Sequence, residues 1–208
     1  IFQDGVTLNN SLSISGSNGE GQNIRFSVTD TRNKWILPNT GYQKQAYAFS
    51  FETPVNKWID FRTKVNYYRT DSDNMPMAGY HQTTVMYNLM WGYNSNSMAD
   101  WRNEYFEGRF NAINRNATIS EGGNSLVFAG TGSYNPYRVL YEELNTTDKD
   151  RVFGTMGFTA KLAKGLTLDL RTGIDLSNEF RTQRKPKMTY GWENGFYREQ
   201  SFTNYEFN

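Results

Sequence analysis

Residues Arg151 to Leu176 read RVFGTMGFTAKLAKGLTLDLRTGIDL, and this stretch decides the fold. Val152, Met156, Phe158, Ala160 and Leu162 alternate with Arg151, Thr155, Thr159 and Lys161. Beyond Ala163-Lys164-Gly165, Leu166, Leu168, Leu170, Ile174 and Leu176 alternate with Thr167, Asp169, Arg171 and Asp175. A period of two marks β-strands with one apolar and one polar face. A three-residue loop with Gly at its third position suits a type I turn followed by a bulge. That loop sets Leu162 opposite Leu166, so both apolar rows share a face. A slip of one residue would place Asp169 and Arg171 among them, so the register is well determined.

The pattern recurs towards the N-terminus. Val6, Leu8, Leu12 and Ile14 oppose Thr7, Asn9, Ser11, Ser13 and Ser15. After a turn at Ser17–Gly21, Ile24, Phe26 and Val28 alternate with Arg25, Ser27 and Thr29. Tyr47, Phe49 and Phe51 follow, and after a turn at Thr53–Lys57 come Ile59, Phe61, Val65 and Tyr67. Six strands are predicted, and Gly195–Asn208 begins a seventh. The chain divides into residues 1–70, two hairpins; 71–148, one long connection; and 149–208, further strands with a loop at about 178–195. Within the long connection, Val85, Met86, Leu89 and Met90 space a short helix over His81–Trp91.

The connections are unequal. Those within hairpins are short, and those between hairpins, at 30–41, 71–148 and 178–195, are long. Short periplasmic turns and long extracellular loops distinguish outer-membrane barrels. The expected fold is therefore all-β, an antiparallel transmembrane β-barrel segment of six to seven strands. Phe158, Leu162, Leu166, Leu168, Leu170 and Ile174 are expected to face lipid. Arg62, Lys64, Asp169, Arg171 and Asp175 are expected to face the lumen. Trp58 beside a short turn, and Tyr67 and Tyr68 at the other strand end, are expected at the two membrane interfaces.

Composition agrees. There are 22 Lys+Arg against 21 Asp+Glu, a balance that offers no electrostatic footprint for nucleic acid. The mean hydropathy is −0.74, yet aromatic residues make up 16% of the chain. A spanning strand shows lipid only at every second residue, so a polar average is compatible with a membrane barrel. There is no cysteine and one histidine, His81, which excludes thiolate and His-cluster metal sites and disfavours histidine catalysis. No cofactor and no catalytic residue is expected. Ile1–Asp4 carries no basic or apolar leader, so a secretion signal is expected upstream. Six or seven strands leave edge groups unpaired in lipid, so the stretch is expected to be part of a larger barrel.

Several segments carry a family resemblance. NSLSISG at Asn10–Gly16, then Asn23–Val28, then ILPNTGY at Ile36–Tyr42 resemble the SusC-like (SusC/RagA) TonB-dependent outer-membrane transporters of Bacteroidetes. So do Tyr134–Tyr137, Asp150–Gly154, Leu170–Asp175 and Gly195–Glu199, in that order. The resemblance spans most of the chain and fades between about Met98 and Gly132. It implies a barrel of about 22 strands with a plugged lumen. It further implies import of glycan or peptide nutrients driven through TonB, and a SusD-like surface lipoprotein at the mouth. The plug and TonB-contacting segment would lie outside this stretch.

Other chemistry is weaker. Thr70–Asn74 has carboxylates at alternate positions but lacks the Gly and Glu of a calcium loop, and reads as a polar turn. Glu142 and Glu143 are adjacent, so they point apart and read as a solvated pair. Arg181, Arg184, Lys185 and Lys187 form a basic cluster that could meet lipopolysaccharide or an acidic partner. Asn116-Ala117-Thr118 and Asn145-Thr146-Thr147 match a glycosylation pattern without meaning in a bacterial protein. Trp35, Tyr134, Tyr137, Tyr190 and Trp192 are loop aromatics suited to stacking on sugar rings or packing against a lipoprotein lid. Two alternatives compete: a soluble carbohydrate-binding β-sandwich, and a barrel component of another outer-membrane complex. The first explains the aromatics but not the one-sided long loops.

Overall fold

The computed structural model describes the chain except for residues 82, 92–96, 108–117, 120–125, 128–134, 188, 190, 191 and 193. Seven strands form one antiparallel sheet: β1 (Val6–Ser17), β2 (Asn23–Lys34), β3 (Gly41–Asn56), β4 (Ile59–Asn74), β7 (Asn145–Ala163), β8 (Leu166–Lys185) and β9 (Phe196–Phe207). They lie side by side in chain order, and the sheet is not closed. Between β4 and β7 come α1 (Val85–Trp91), α2 (Met98–Glu107), the two-residue strands β5 (Thr118–Ile119) and β6 (Leu126–Val127), and α3 (Pro136–Glu142).

The hairpin that opened the sequence reading is present with a small change. Gly165 turns at φ +81°, a conformation that suits glycine. Ala163 pairs with Leu166, and the bulge falls between Lys161 and Ala163. The turn expected at Thr53–Lys57 is shorter, because β3 continues through a bulge to Asn56.

Strands bordering the long connections, β9 excepted, run further than alternation indicates. β4 reaches Asn74, β7 starts at Asn145 and β8 continues to Lys185. The register explains why. Leu12, Val28, Tyr47, Tyr67, Val152, Leu176 and Tyr205 are successive cross-strand partners, one row across seven strands. The next row on that face, towards the long connections, is Asn10, Asp30, Gln45, Arg69, Asp150, Asn178 and Thr203. Apolar side chains give way to polar ones within one step. Beyond it both faces of most strands are polar, so hydropathy has no period left while the backbone ladder continues.

The sheet contributes no buried hydrophobic side chain among the described residues. Val85, Trp101, Tyr105, Tyr137, Val139 and Leu140 are the buried apolar residues, and all lie between β4 and β7. They form two small clusters that share Ile1 and Tyr141 at their margins. The core therefore belongs to a helical cap at the long-connection end of the sheet. The sheet's own apolar face stays open, with Leu12, Ile14, Leu166 and Leu170 each more than half exposed.

At the short-turn end the strands are staggered. Ile24, near the start of β2, pairs with Phe51, yet β3 continues to Asn56. Ile59 at the start of β4 pairs with Ala160, and β7 continues to Ala163. Each hairpin thus ends further along than the one before, the stagger that tilted strands of a barrel require.

Candidate functional site

The polar face of the sheet is one candidate surface. Arg62, Lys64, Asp169, Arg171 and Asp175 all fall on it by strand alternation. Asp169 accepts from Arg62 at 2.6 Å and from Arg171 at 3.0 Å. Arg151 pairs with Asp175, Lys149 with Glu179 at 3.3 Å, and Lys161 with Asp60 at 2.9 Å. This is a ladder of paired charges over β4, β7 and β8, in which each carboxylate faces a cation one strand or more away.

Tyr68 falls on this polar face, whereas Tyr67 lies in the boundary row of the apolar face. Tyr67 therefore shares a face with the apolar rows and Tyr68 does not. Tyr68 stacks on Phe153 with centroids 5.4 Å apart. Lys44 sits 4.6 Å from the Tyr68 centroid, and Arg151 sits 5.0 Å from that of Phe153. Cation, ring, ring and cation follow one another across β3, β4 and β7, held at the far end by Asp175. Sequence reading missed this column, because nothing local says that Tyr68 and Phe153 meet on the diagonal.

Phe158, Leu162, Leu166, Leu168, Leu170 and Ile174 line the opposite face, each between 39% and 58% exposed. Among the described residues nothing buries them. Trp58 stands 54% exposed at the β3–β4 turn, with Lys57 against its ring at 5.3 Å.

The cap is held to the polar face by side chains from three directions. Its central element is α3, which starts at an Asn-Pro pair. The Asn135 carboxamide oxygen accepts from Tyr137 N at 3.0 Å, and Pro136 occupies the first turn. An N-cap followed by Pro is a recognisable helix start, and Asn135-Pro136 carries that signal in the sequence. Asn135 also donates to the Trp101 carbonyl at 2.8 Å, joining α3 to α2.

At the other end of α3 the Leu140 carbonyl accepts from Asn39 and from Asn74, both at 2.9 Å. Glu143 receives Lys185 of β8 at 3.2 Å, with both side chains almost wholly buried. Arg138 donates to the Lys187 carbonyl at 2.7 Å and pairs with Glu142 at 3.4 Å. Burial pushes the Glu143 carboxyl above its ordinary range, against the pull of Lys185 and Arg138. Glu143 is therefore an anchor of the cap and Glu142 pairs with Arg138 within α3, so the two are not a solvated pair.

The loop aromatics have different settings. Trp35 is half-buried and lies 5.6 Å from Tyr42. Tyr137 is buried in the cap, 7% exposed, with its hydroxyl's proton held more tightly through desolvation. Trp192 is half-buried, with Lys185 4.4 Å from its ring and Phe196 beside it at 5.8 Å. Tyr134 and Tyr190 lie outside the described residues. The chain thus brings Tyr137 and Trp192 to the anchor points of α3 and leaves Trp35 apart.

Among the described residues no group of His, Asp or Glu is gathered as a metal site would require. His81 accepts from Thr83 N at 3.2 Å and contacts its hydroxyl at 2.8 Å, ordering the turn before α1. Asp71 and Asp73 belong to the end of β4, which continues as strand where a polar turn was expected. No family model matches the chain, and no curated protein is significantly similar to it.

Proposed function

We propose that this chain is a stretch of the wall of an outer-membrane β-barrel, from a SusC-like importer of glycan or peptide nutrients. The observation that carries the barrel part is the single-step boundary across seven strands. One face is apolar up to the row from Leu12 to Tyr205, the next row is polar on all seven strands, and most positions beyond it are polar, Val6, Leu8 and Phe180 excepted. On β8 the apolar band runs from Leu166 to Leu176, about ten residues, or roughly 33 Å along the strand. At a tilt of about 40° that is roughly 25 Å of height, the thickness of an outer-membrane apolar girdle. Three tyrosines, Tyr47, Tyr67 and Tyr205, sit in the boundary row, where amphipathic rings favour a lipid–water interface.

On this reading the charge ladder from Asp60 to Glu179 lines a water-filled interior, and the short turns face the periplasm. The helical cap lies at the outer mouth, where a SusD-like lipoprotein would meet it. The importer part rests on the motif resemblance together with this architecture. TonB and a plug would act through other parts of the full polypeptide.

The barrel is tested in the full-length protein in membranes. A bimane label on Leu170→Cys should be quenched by spin-labelled lipid, and one on Asp169→Cys should not. Equal quenching at both positions, or release of the protein from membranes without detergent, would remove the barrel and leave a soluble sandwich. The importer is tested by uptake: loss of TonB should abolish nutrient import by the parent protein, and unchanged import would leave a passive barrel.

A further inference from the structure

The basic run Arg181, Arg184, Lys185 and Lys187 is divided by the fold. Arg181 is held by Glu179 at 2.5 Å, and Lys185 by Glu143. Arg184 and Lys187 are exposed, and neither side chain has an ion pair or hydrogen bond among the described residues. Both line one open groove of about 810 Å³, where the top of β8 and the start of β9 meet the cap. Phe196 and Tyr197 line it too, with Asn194 beside them. The anion on its wall, Glu142, is engaged by Arg138. Among the described residues that line the groove, the uncompensated charge is therefore positive.

We propose that this groove binds an anionic saccharide, a sugar ring bearing a carboxylate, sulfate or phosphate. Its volume is in the range of small-ligand sites. The Arg184 guanidinium is a planar fork suited to an oxyanion, and Lys187 adds a second positive charge on the same groove. Tyr197 is 61% exposed, and its hydroxyl is anchored on Glu199 at 2.6 Å, which fixes a ring against which a sugar can stack. Arg184 lies on the same face as Leu176, about eight residues beyond the end of the apolar band, or roughly 26 Å along the strand. At that position the groove meets either a free acidic oligosaccharide or the phosphorylated sugars of an outer-leaflet glycolipid. The anion chemistry is common to both, and it does not depend on the transport reading.

The test uses the full-length protein in detergent micelles and two probes, each with an uncharged counterpart. Digalacturonate is titrated calorimetrically beside neutral galactobiose, and phosphorylated lipopolysaccharide beside its dephosphorylated form. Saturable binding of a charged probe, absent for its counterpart, is expected in at least one arm. The double variant Arg184→Gln/Lys187→Gln should weaken it by about tenfold or more, and Arg181→Gln should leave it within about twofold. Unchanged heat-modifiability on gels confirms that the variants are folded. The arm that responds identifies the source. Absence of binding in both arms, binding shared by the uncharged counterparts, or binding retained by the folded double variant overturns the proposal.

Discussion

Arg62 of β4 reaches Asp169 of β8 across Gly157 of β7, which lies between them in the sheet. The guanidinium spans two strands because the residue beneath it has no side chain. A Cβ at position 157 would stand 3.2 Å from Arg62 Nε and 3.3 Å from the Leu170 carbonyl. Gly157→Leu should therefore displace Arg62 from Asp169. In thermal unfolding, Arg62→Gln and Asp169→Asn should be coupled in the native protein and additive in the Gly157→Leu background. Coupling that survives that substitution would show that the arginine takes another route.

Gly154 meets a harder obstacle. A Cβ there would fall 2.5 Å from the Lys64 carbonyl oxygen, which is backbone and cannot swing aside. Gly154→Ala should cost about 1–3 kcal/mol, the range for overpacking a close contact. Gly157→Ala should cost less, since the nearest atom there belongs to a flexible side chain. Urea unfolding of both variants checks the order, and equal midpoints would contradict it.

On the barrel reading, Leu168→Arg places a charge on the lipid face within the apolar band. It should cost about 2–4 kcal/mol near mid-membrane and lower the yield of assembled protein. Thr167→Arg, one residue away on the polar face, should assemble normally. Assembly is read from the heat-modifiable band in membrane fractions. Equal yields of the two variants would contradict the assignment of faces.

Asn74 is 5% exposed, donates to the Leu140 and Asn39 carbonyls, and accepts from Asn145 N at 3.4 Å. Asn74→Ala removes a donor to the Leu140 and Asn39 carbonyls and the acceptor of Asn145 N, leaving Asn39 as the remaining donor to Leu140, at about 1–3 kcal/mol for the cap. Limited proteolysis between residues 75 and 144 should become faster while the sheet stays intact. An unchanged cleavage rate would mean that Asn39 alone holds α3.

Glu143 makes the cap sensitive to pH. Its carboxyl is raised above the unfolded value, so the folded cap binds this proton more tightly than the unfolded chain does. That contribution is fully present below the ordinary carboxylate range and is lost as pH rises through the raised value. Hydrogen exchange of α3 amides, corrected for intrinsic rates, should show protection falling over that window. Glu143→Gln should flatten the dependence. Lys185→Met removes the compensating charge and should steepen it, since a buried carboxylate without its partner costs about 3–5 kcal/mol.

The strands and their faces were legible because apolar bands impose a period of two from Leu166 to Leu176 and in each earlier hairpin. The strand ends were not. Past Arg69 and Asp30 both faces turn polar, and past Asn178 Phe180 stands alone among polar residues, so the ladder continues without a hydropathy period. The cap was partly legible: the spacing of Val85 and Leu89 announced α1, while the helix start at Asn135-Pro136 went unread. Its anchors were hidden, because Asn39, Asn74 and Lys185 reach α3 from strands and loops far away in the chain. An asparagine bound for a distant carbonyl looks like any other loop asparagine. The same holds for Tyr68 and Phe153, whose meeting depends on the β4–β7 register.

The pairing of β4 with β7 sets a timetable for folding. These strands are neighbours in the sheet, yet everything from Met75 to Leu144 separates them in the chain. Closing such an excursion costs entropy that grows only with the logarithm of its length, but the cost falls due before any rung of the ladder forms. The local hairpins β1–β2, β3–β4 and β7–β8 can zip first, each from its own short turn. α3 cannot dock until Asn74 and Lys185 stand at their places on either side of that seam. The cap therefore becomes native only after that seam, and its closure reports that the seam has been sewn in the correct register.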